Sequence, residues 1–288
     1  IALDCGIKAL DNTTYAKEMG IDFIICDHHL PGADLPEAVA ILDPKQNNCN
    51  YPFKDLCGCG IGFKLIEALT QERGLSFEMI LPYIDLVAMA IAADIVPILG
   101  ENRILTYYGL AQIRKNPREG IKLFVRGIKR ELNVTDLVFV IAPRLNAAGR
   151  IKHGSLAVEL LLSNDPTEAL SRGRAIELFN SERQVLDQHI TEQALDQIVE
   201  NQEQNNYSSV VFQPDWHKGV IGIVASRLIE KYYRPTVVFT ASGDFFTGSV
   251  RSVKGLDVFQ ILDSCKDHVE KFGGHRYAAG LTIKAEAY

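Results

Sequence analysis

The sequence predicts an α/β protein with two α/β domains that are joined by one long helix. Two observations carry this prediction. Short apolar runs alternate with helical patterns in both halves of the 288-residue chain, and a long helical pattern without strand signals separates the halves. The hydrophobic fraction of 47% is large enough to form two separate cores.

The first domain is expected over residues 1–164, with a mostly parallel sheet. Ile1–Leu3 and Phe23–Cys26 are apolar runs that indicate buried strands, and Ala38–Leu42 is a third short apolar run. Residues 120–142 carry a mixed pattern that favours no single element. Helical patterns follow the runs at residues 11–19, 61–72 and 78–92.

A long amphipathic helix is expected over residues 165–206, between the domains. Pro166 lies near its start, neither Pro nor Gly follows Gly173, and apolar residues recur at helical spacing. A second, smaller domain is expected over residues 207–288, where strands and helices alternate again. Its strands are expected at 209–213, 236–240, 246–251 and 278–284, and its helices at 221–232 and 257–265.

Composition excludes several classes of protein. The net charge of -6 and the isoelectric point near 5.7 differ from the basic profile of a non-specific duplex-DNA binder, although a local basic groove remains compatible with them. No run of about eighteen apolar residues indicates a membrane span, and no signal peptide is recognised. The six cysteines show no paired spacing, which favours reduced thiols and a cytoplasmic location.

Three polar elements indicate a metal site. Asp27, His28 and His29 directly follow one apolar strand, Asp4 follows another, and Asp94 is a lone carboxylate at an apolar helix end. Each carboxylate should meet a cation or several donors, because burial of an unpaired charge is costly. Carboxylate and imidazole ligands without thiolate suit Mn²⁺ or Mg²⁺. One aspartate alone is also an ordinary helix cap, and two histidines alone an ordinary polar loop, but the set favours a metal.

Several motifs resemble a known family. Asp27-His28-His29 resembles the signature of the DHH phosphoesterase superfamily, and Gly273-Gly274-His275 is similar to that of the DHHA1 domain. Asp4 and Ala92–Pro97 resemble two further DHH motifs. Segments that resemble the RecJ-type exonucleases of this superfamily lie at residues 143–150, 216–222 and 248–252.

The resemblance implies a role for each residue of the first site. Asp4 would bridge two metal ions, and His28 and Asp94 would complete the binding of one of them. His29 would contact the scissile phosphate. Asp27 would orient the adjacent histidine through a hydrogen bond that fixes its tautomer.

Residues of the second domain are expected to bind a nucleic-acid strand. Ser249 and Arg251 share one face of a strand, where a hydroxyl and a guanidinium suit an anion, and the resemblance implies a terminal 5′ phosphate. Gly273 and Gly274, beside His275, allow close approach of a phosphate or base.

Other candidate contacts are more ambiguous. Arg144 and Arg150 flank an expected turn of small residues that begins at Asn146, although each arginine alone is also an ordinary surface charge. Trp216, with His217, either packs against the long helix or stacks on bases if it is exposed. A locally basic groove is expected between the two domains, faced by Arg144, Arg150, Arg251 and Arg276.

The resemblance implies a single-stranded-DNA-specific 5′→3′ exonuclease that hydrolyses phosphodiester bonds with two divalent ions and acts in DNA repair and recombination. Its substrate would be a single strand with a 5′ end, and a single-strand-binding protein or a helicase is a candidate partner. The chain opens within a strand, without the family's Asp-x-Asp motif or an OB-fold. We therefore expect a fragment that holds one ion or none and has impaired activity. Two alternatives stay open: a phosphoesterase for short oligonucleotides or cyclic dinucleotides, and an inactive scaffold.

Overall fold

A computed structural model describes residues 1–288 and divides them into two compact units. The first unit comprises Ile1–Asn146 and Leu156–Arg174, and the second comprises Ala147–Ser155 and Ala175–Tyr288. Each unit contains one sheet with helices, so the expected α/β class with two α/β parts is confirmed. None of the helices combines the length and the apolar character needed to cross a membrane.

The sheet of the first unit is three-stranded and wholly parallel, in the order β1-β2-β3. Leu3 is in register with Cys26, and Cys26 with Leu42. The residues that follow these positions therefore leave the sheet at one edge. The strands are β1 (Ala2–Leu3), β2 (Ile24–Cys26) and β3 (Ala40–Leu42).

Helices of the first part of the chain cover this sheet, and their buried side chains form an apolar core that includes Cys26, Leu56, Ile61 and Ile91. The helix expected at 78–92 begins only at Ile84. Two 3-10 turns, Phe77–Met79 and Leu81–Tyr83, come before it, and Pro82 lies in the second. The helices are α1 (Leu10–Glu18), α2 (Gly58–Glu72), α3 (Ile84–Asp94), α4 (Gly100–Lys115), α5 (Glu119–Val125), α6 (Val134–Asp136), α7 (Ala142–Ile151) and α8 (Ser155–Leu162).

The expected turn of small residues after Arg144 is wrong. Residues 146–149 lie inside α7, which follows a π-helical turn at Leu137–Ile141. Alanine has the highest helix propensity, and a single glycine near a helix end is tolerated. Small size alone therefore did not indicate a turn at Ala147 and Ala148.

The long helix α9 runs from Pro166 to Glu200, so it begins where the pattern predicted but ends before the expected bound at residue 206. The five-stranded sheet of the second unit has the order β4-β5-β6-β8-β7, with β4 and β5 parallel and the other neighbours antiparallel. Strand β7 was not predicted, because glycines at 273 and 274 weaken its strand pattern. The elements are β4 (Ser209–Phe212), α10 (Ile221–Tyr232), β5 (Thr236–Ser242), β6 (Phe245–Arg251), α11 (Val258–Ser264), β7 (Lys271–His275) and β8 (Ala278–Lys284).

Candidate metal centre and anion site

Asp4, His28 and Asp94 lie together at the carboxyl edge of the parallel sheet. The Nε2 atom of His28 is 3.1 Å from Oδ1 of Asp4 and 3.4 Å from Oδ2 of Asp94. The His28 side chain is 9% exposed, whereas those of Asp4 and Asp94 are 62% and 40% exposed. The expectation of buried carboxylates is thus wrong for these two aspartates, and the site is open to solvent on their side.

The backbone is unusual at both carboxylates. Asp4 has a φ of 63°, in the left-handed region that aspartate tolerates better than most residues, and its N–H donates to the carbonyl of Cys26 at 2.9 Å. Asp94 is the last residue of α3, and Ile95 ends that helix with a φ of 56°. A β-branched residue in this region is strained, and such strain is characteristic of functional sites.

Asp27 is buried and holds the backbone of His28 and His29 in place. Its Oδ2 accepts a hydrogen bond from the N–H of Ile7 at 2.9 Å, and its Oδ1 accepts from the N–H groups of His28 and His29 at 2.8 and 3.2 Å. Burial is the largest influence and raises the pKa of Asp27, but the hydrogen bonds from Ile7, His29 and His28 together hold that pKa below its usual value. Asp27 is therefore an ionised acceptor at neutral pH.

The ring that Asp27 orients is that of His29. Nδ1 of His29 lies 2.7 Å from Oδ1 of Asp27. Because the carboxylate can only accept, Nδ1 carries a proton, and in the neutral ring the lone pair is therefore on Nε2 of His29. The side chain of His29 is 57% exposed, so the outer nitrogen is available to a ligand.

The carboxylates around His28 create a negative local potential. The hydrogen bond with Asp4 raises the pKa of His28, burial opposes this, and the charges of Asp94 and Asp4 add to the increase. The same potential attracts a metal cation. Nδ1 of His28 is buried and has no hydrogen-bond partner.

The donor atoms fit a hard divalent cation. Atoms from Asp4, His28 and His29 all lie within 4.8 Å of one another. An octahedral ion with bonds of about 2.1 Å holds adjacent ligands about 3 Å apart. The distances of 3.1 and 3.4 Å from His28 to Asp4 and Asp94 match that spacing. Oxygen and imidazole donors are suited to Mn²⁺ or Mg²⁺.

Gly58, the first residue of α2, was missed as a functional residue by sequence reasoning. A Cβ atom on Gly58 would lie 2.2 Å from Oδ1 of Asp4, and a Cβ atom on Gly62 would lie 3.1 Å from Leu3. The start of α2 therefore approaches Asp4 closely. The spacing of four residues, which places both glycines on one helix face, was the available signal.

A second cluster forms in the second unit around the start of α10. Arg150 donates to the carbonyl of Gly219 at 3.0 Å, and Arg251 donates to Oγ of Ser249 at 3.1 Å. A Cβ atom on Gly222 would lie 2.9 Å from Nη2 of Arg251 and 3.0 Å from Oγ of Ser249. The hydroxyl of Ser249 and the guanidinium of Arg251, which were expected to share one face of a strand, therefore also lie against the N-terminal turn of α10.

His217 lies at the same helix start. Its Nδ1 accepts a hydrogen bond from the N–H of Gly219 at 3.2 Å, and a Cβ atom on Gly219 would lie 3.1 Å from its Cε1. Trp216 instead packs in the core, since it is 4% exposed and its Nε1 donates to Gln193 of α9 at 2.8 Å. The packing alternative is thus correct for Trp216, and stacking on bases is not available to it.

The arginines of this cluster repel one another. Burial lowers the pKa of Arg150 and of Arg251, and the charge of Arg183 acts on Arg150 in the same direction, as that of Arg150 does on Arg251. The buried carboxylate of Asp187 forms its hydrogen bonds with another arginine, Arg227, at 2.7 and 2.8 Å. Arg150 and Arg251 form no ion pair of their own, so a bound anion would relieve their repulsion.

The remaining predicted residues are dispersed over exposed elements. Gly273, Gly274 and His275 form the exposed end of β7, and Gly274 has a φ of 148° with a would-be Cβ 2.3 Å from the carbonyl of Ala278. Arg144 donates to the carbonyl of Val140 at 2.7 Å. Asn146 is an exposed residue of α7, and the guanidinium of Arg276 lies 5.7 Å from the Tyr277 ring.

Comparison with known proteins agrees with the two-part architecture. The model of the DHH family, N-terminal domain, matches residues 1–91, and that of the DHHA1 domain matches residues 203–288. The single-stranded-DNA-specific exonuclease RecJ of Bacillus subtilis is 42% identical over 99% of this chain and 36% of its own length. The RecJ of Escherichia coli is 36% identical over 100% of this chain and 54% of its own length.

Solved structures are similar over almost the whole chain. The crystal structure of RecJ in complex with Mn²⁺ from Thermus thermophilus has a TM-score of 0.88 and 31% identity, and the match covers 99% of this chain and 42% of that one. A crystal structure of exonuclease RecJ bound to manganese has a TM-score of 0.83 and 32% identity, over 99% and 70% of the two chains. The chain spans between a third and about half of the length of the curated relatives. It belongs to the RecJ family of proteins with DHH and DHHA1 domains.

Proposed function

We propose that the protein carrying this chain is a single-stranded-DNA-specific exonuclease that uses divalent metal ions. The observation that carries this proposal is that Asp4 and Asp94 each lie at ligand spacing from Nε2 of His28 at the edge of the parallel sheet. Relatives named as single-stranded-DNA-specific exonucleases support the substrate, and solved structures with Mn²⁺ or Mg²⁺ support the type of metal.

In this proposal, Asp4, His28 and Asp94 hold a Mn²⁺ or Mg²⁺ ion. Such an ion lowers the pKa of a bound water and neutralises charge on a phosphate during in-line displacement. Asp4, the most exposed of the three side chains, remains accessible to a second ion. His29 faces solvent with a free Nε2 and would contact the scissile phosphate, while Asp27 holds its ring and its tautomer.

The cluster at the start of α10 is proposed to bind the 5′-terminal phosphate of the strand. Arg150, Ser249 and Arg251 supply donors, and the helix N-terminus adds a positive dipole end. A pocket for a terminal 5′ phosphate would explain a 5′→3′ direction, since each cut would create a new end to be captured.

Other parts of the strand would contact further residues of the chain. The open position of Gly273 on β7 allows close approach beside His275, and His217 would act near the terminal phosphate. Arg144 and Asn146 stay predictions as strand contacts, as do roles in DNA repair and recombination and a single-strand-binding protein or helicase as partner.

Degradation of end-labelled oligonucleotides tests the proposal. With Mn²⁺, the protein carrying this chain should release nucleotides from the 5′ end of a single strand, leave the matching blunt duplex intact, and lose activity with EDTA or with His28→Ala. Equal degradation of the duplex or release from the 3′ end would contradict the proposal. Activity confined to di- and trinucleotides or cyclic dinucleotides would favour the alternative phosphoesterase.

A further inference from the structure

Two buried polar atoms beside the metal centre lack hydrogen-bond partners. One is Nδ1 of His28, and the other is Oδ2 of Asp43, the residue that directly follows β3. Both residues are buried: Asp43 as a whole residue is 2% exposed, and His28 is 7% exposed. A buried polar atom without a partner destabilises the folded protein, so both atoms need an explanation.

The sheet places these two side chains in the same region. Cys26 and Leu42 are in register, and the N–H of Asp27 donates to the carbonyl of Leu42 at 3.0 Å. Asp43 therefore leaves the sheet beside Asp27 and His28, and its carboxylate interacts electrostatically with the His28 ring. Its Oδ1 accepts a hydrogen bond from the N–H of Lys45 at 2.8 Å, which leaves Oδ2 uncommitted.

The chemistry of a metal-bound imidazole connects the two atoms. When Nε2 of His28 uses its lone pair for a cation, the proton of the neutral ring must be on Nδ1. Nδ1 is buried and therefore requires an acceptor within the protein. A histidine ligand ordinarily donates this second N–H to a carboxylate, a carbonyl or a water.

The other carboxylates of the site are already committed. Asp27 accepts four hydrogen bonds, from the N–H groups of Ile7, His28 and His29 and from the His29 ring. Asp4 and Asp94 face the opposite ring nitrogen, Nε2. Asp43 is thus the buried carboxylate of this region with an oxygen, Oδ2, that accepts no hydrogen bond.

We propose that Asp43 is a positioning residue for the metal ligand His28: its Oδ2 accepts the Nδ1–H hydrogen bond, directly or through one water, when Nε2 binds the cation. This inference rests on the proposed metal site and adds a residue that the DHH signature does not contain. Loss of such a partner typically weakens metal binding by about 10- to 100-fold.

The test is calorimetric titration of Mn²⁺ into the chain and its variants. Asp43→Ser keeps an oxygen for the N–H of Lys45 but is too short to replace Oδ2, so we expect Mn²⁺ affinity to fall by about 10- to 100-fold. Asp43→Asn keeps a carbonyl that can turn to His28, so a smaller loss is expected. The matched control is Asp165→Ser, because Oδ1 of Asp165 likewise accepts from the N–H two residues on, at 2.8 Å from Thr167.

Comparison with His28→Ala distinguishes failure of the role proposed for Asp43 from failure of the proposed metal site. If His28→Ala loses affinity and Asp43→Ser does not, Asp43 has no positioning role and the metal site stands. If His28→Ala also keeps full affinity, both proposals are overturned. A second measurement is NMR of the Mg²⁺-loaded chain: the Nδ1–H proton of His28 should be shifted downfield by its hydrogen bond and should move upfield in Asp43→Ser, and an unchanged proton shift in Asp43→Ser would overturn the role of Asp43.

Discussion

Gly58 lies directly against the carboxylate of Asp4, and a Cβ atom at position 58 would be only 2.2 Å from Oδ1 of Asp4. Gly58→Ala must therefore displace either Asp4 or the start of α2. We expect Mn²⁺ affinity to fall by at least about 10-fold, comparable with loss of a ligand-supporting contact, as measured by calorimetry. The control is Gly60→Ala in the same turn, whose Cβ atom would lie 3.4 Å from Leu56.

Comparison of Gly58→Ala with Gly60→Ala tests whether the contact between Gly58 and Asp4 matters for metal binding. Both remove a glycine from the first turn of α2 and change helix propensity equally. Equal Mn²⁺ affinities for the two variants would show that the position of Asp4 does not depend on Gly58.

Arg251 should distinguish the two kinds of 5′ end. Arg251→Ala removes a guanidinium that can form paired hydrogen bonds with a terminal phosphate, so binding of 5′-phosphorylated single strands should weaken more than binding of 5′-hydroxyl strands. Fluorescence anisotropy in EDTA measures both without cleavage, and Lys254→Ala, at an exposed lysine of the same unit, is the control. Equal losses on both strands would assign Arg251 to general backbone contact or to folding.

Salt should weaken strand binding steeply despite the net charge of -6. The plot of log affinity against log salt concentration should fall with a slope of about -0.7 for each phosphate neutralised on a single strand. Titration with NaCl from low to physiological concentration measures it. An affinity that does not change with salt would contradict the proposed role of the arginines around α10.

The bidentate ion pair of Asp136 with Arg130 should contribute to stability against acid. Two hydrogen bonds of 2.7 Å join them, and Asn133 also donates its N–H to Asp136 at 2.9 Å. The hydrogen bonds from Arg130 lower the pKa of Asp136 in the folded state, so its contribution is complete above the ordinary value of 3.8 and is lost as pH falls through the lower, folded value.

Chemical denaturation at several pH values checks this prediction. Asp136→Asn should lower the free energy of unfolding at pH 7, and its difference from the parent chain should shrink below a pH of about 3.8. The exposed Asp34→Asn is the control. A difference that stays constant from pH 7 to pH 3 would rule out this linkage.

The sequence identified the residues of the candidate metal centre better than the residues that surround them. Asp4, Asp27, His28 and His29 were identifiable because polar residues directly followed apolar strand runs, and parallel strands end at one edge. Asp94 was recognisable as a single carboxylate at the end of an apolar helix. Asp43 follows strand β3 in the same way but was overlooked, because the run before it, Ala38–Leu42, was assigned only as a short apolar segment.

The anion site was only partly predictable, because its residues come from distant parts of the chain. The alternation of Ser249 and Arg251 on a strand was visible in the sequence, but their approach to Gly222 depends on how α10 packs over the sheet. The sequence pattern left open whether Trp216 packs in the core or stacks on bases, and its burial shows that it packs in the core. The turn expected after Arg144 was wrong because residue size is a weaker signal than helix propensity.

Manganese titration by calorimetry on this chain and on Asp4→Asn, His28→Ala and Asp94→Asn tests the central claim most directly. Asp4 and Asp94 each lie at ligand spacing from Nε2 of His28, so we predict one Mn²⁺ per chain and a large loss of affinity in every variant. Undiminished binding by His28→Ala, or two tight ions per chain, would contradict this account, because other residues would then hold the metal.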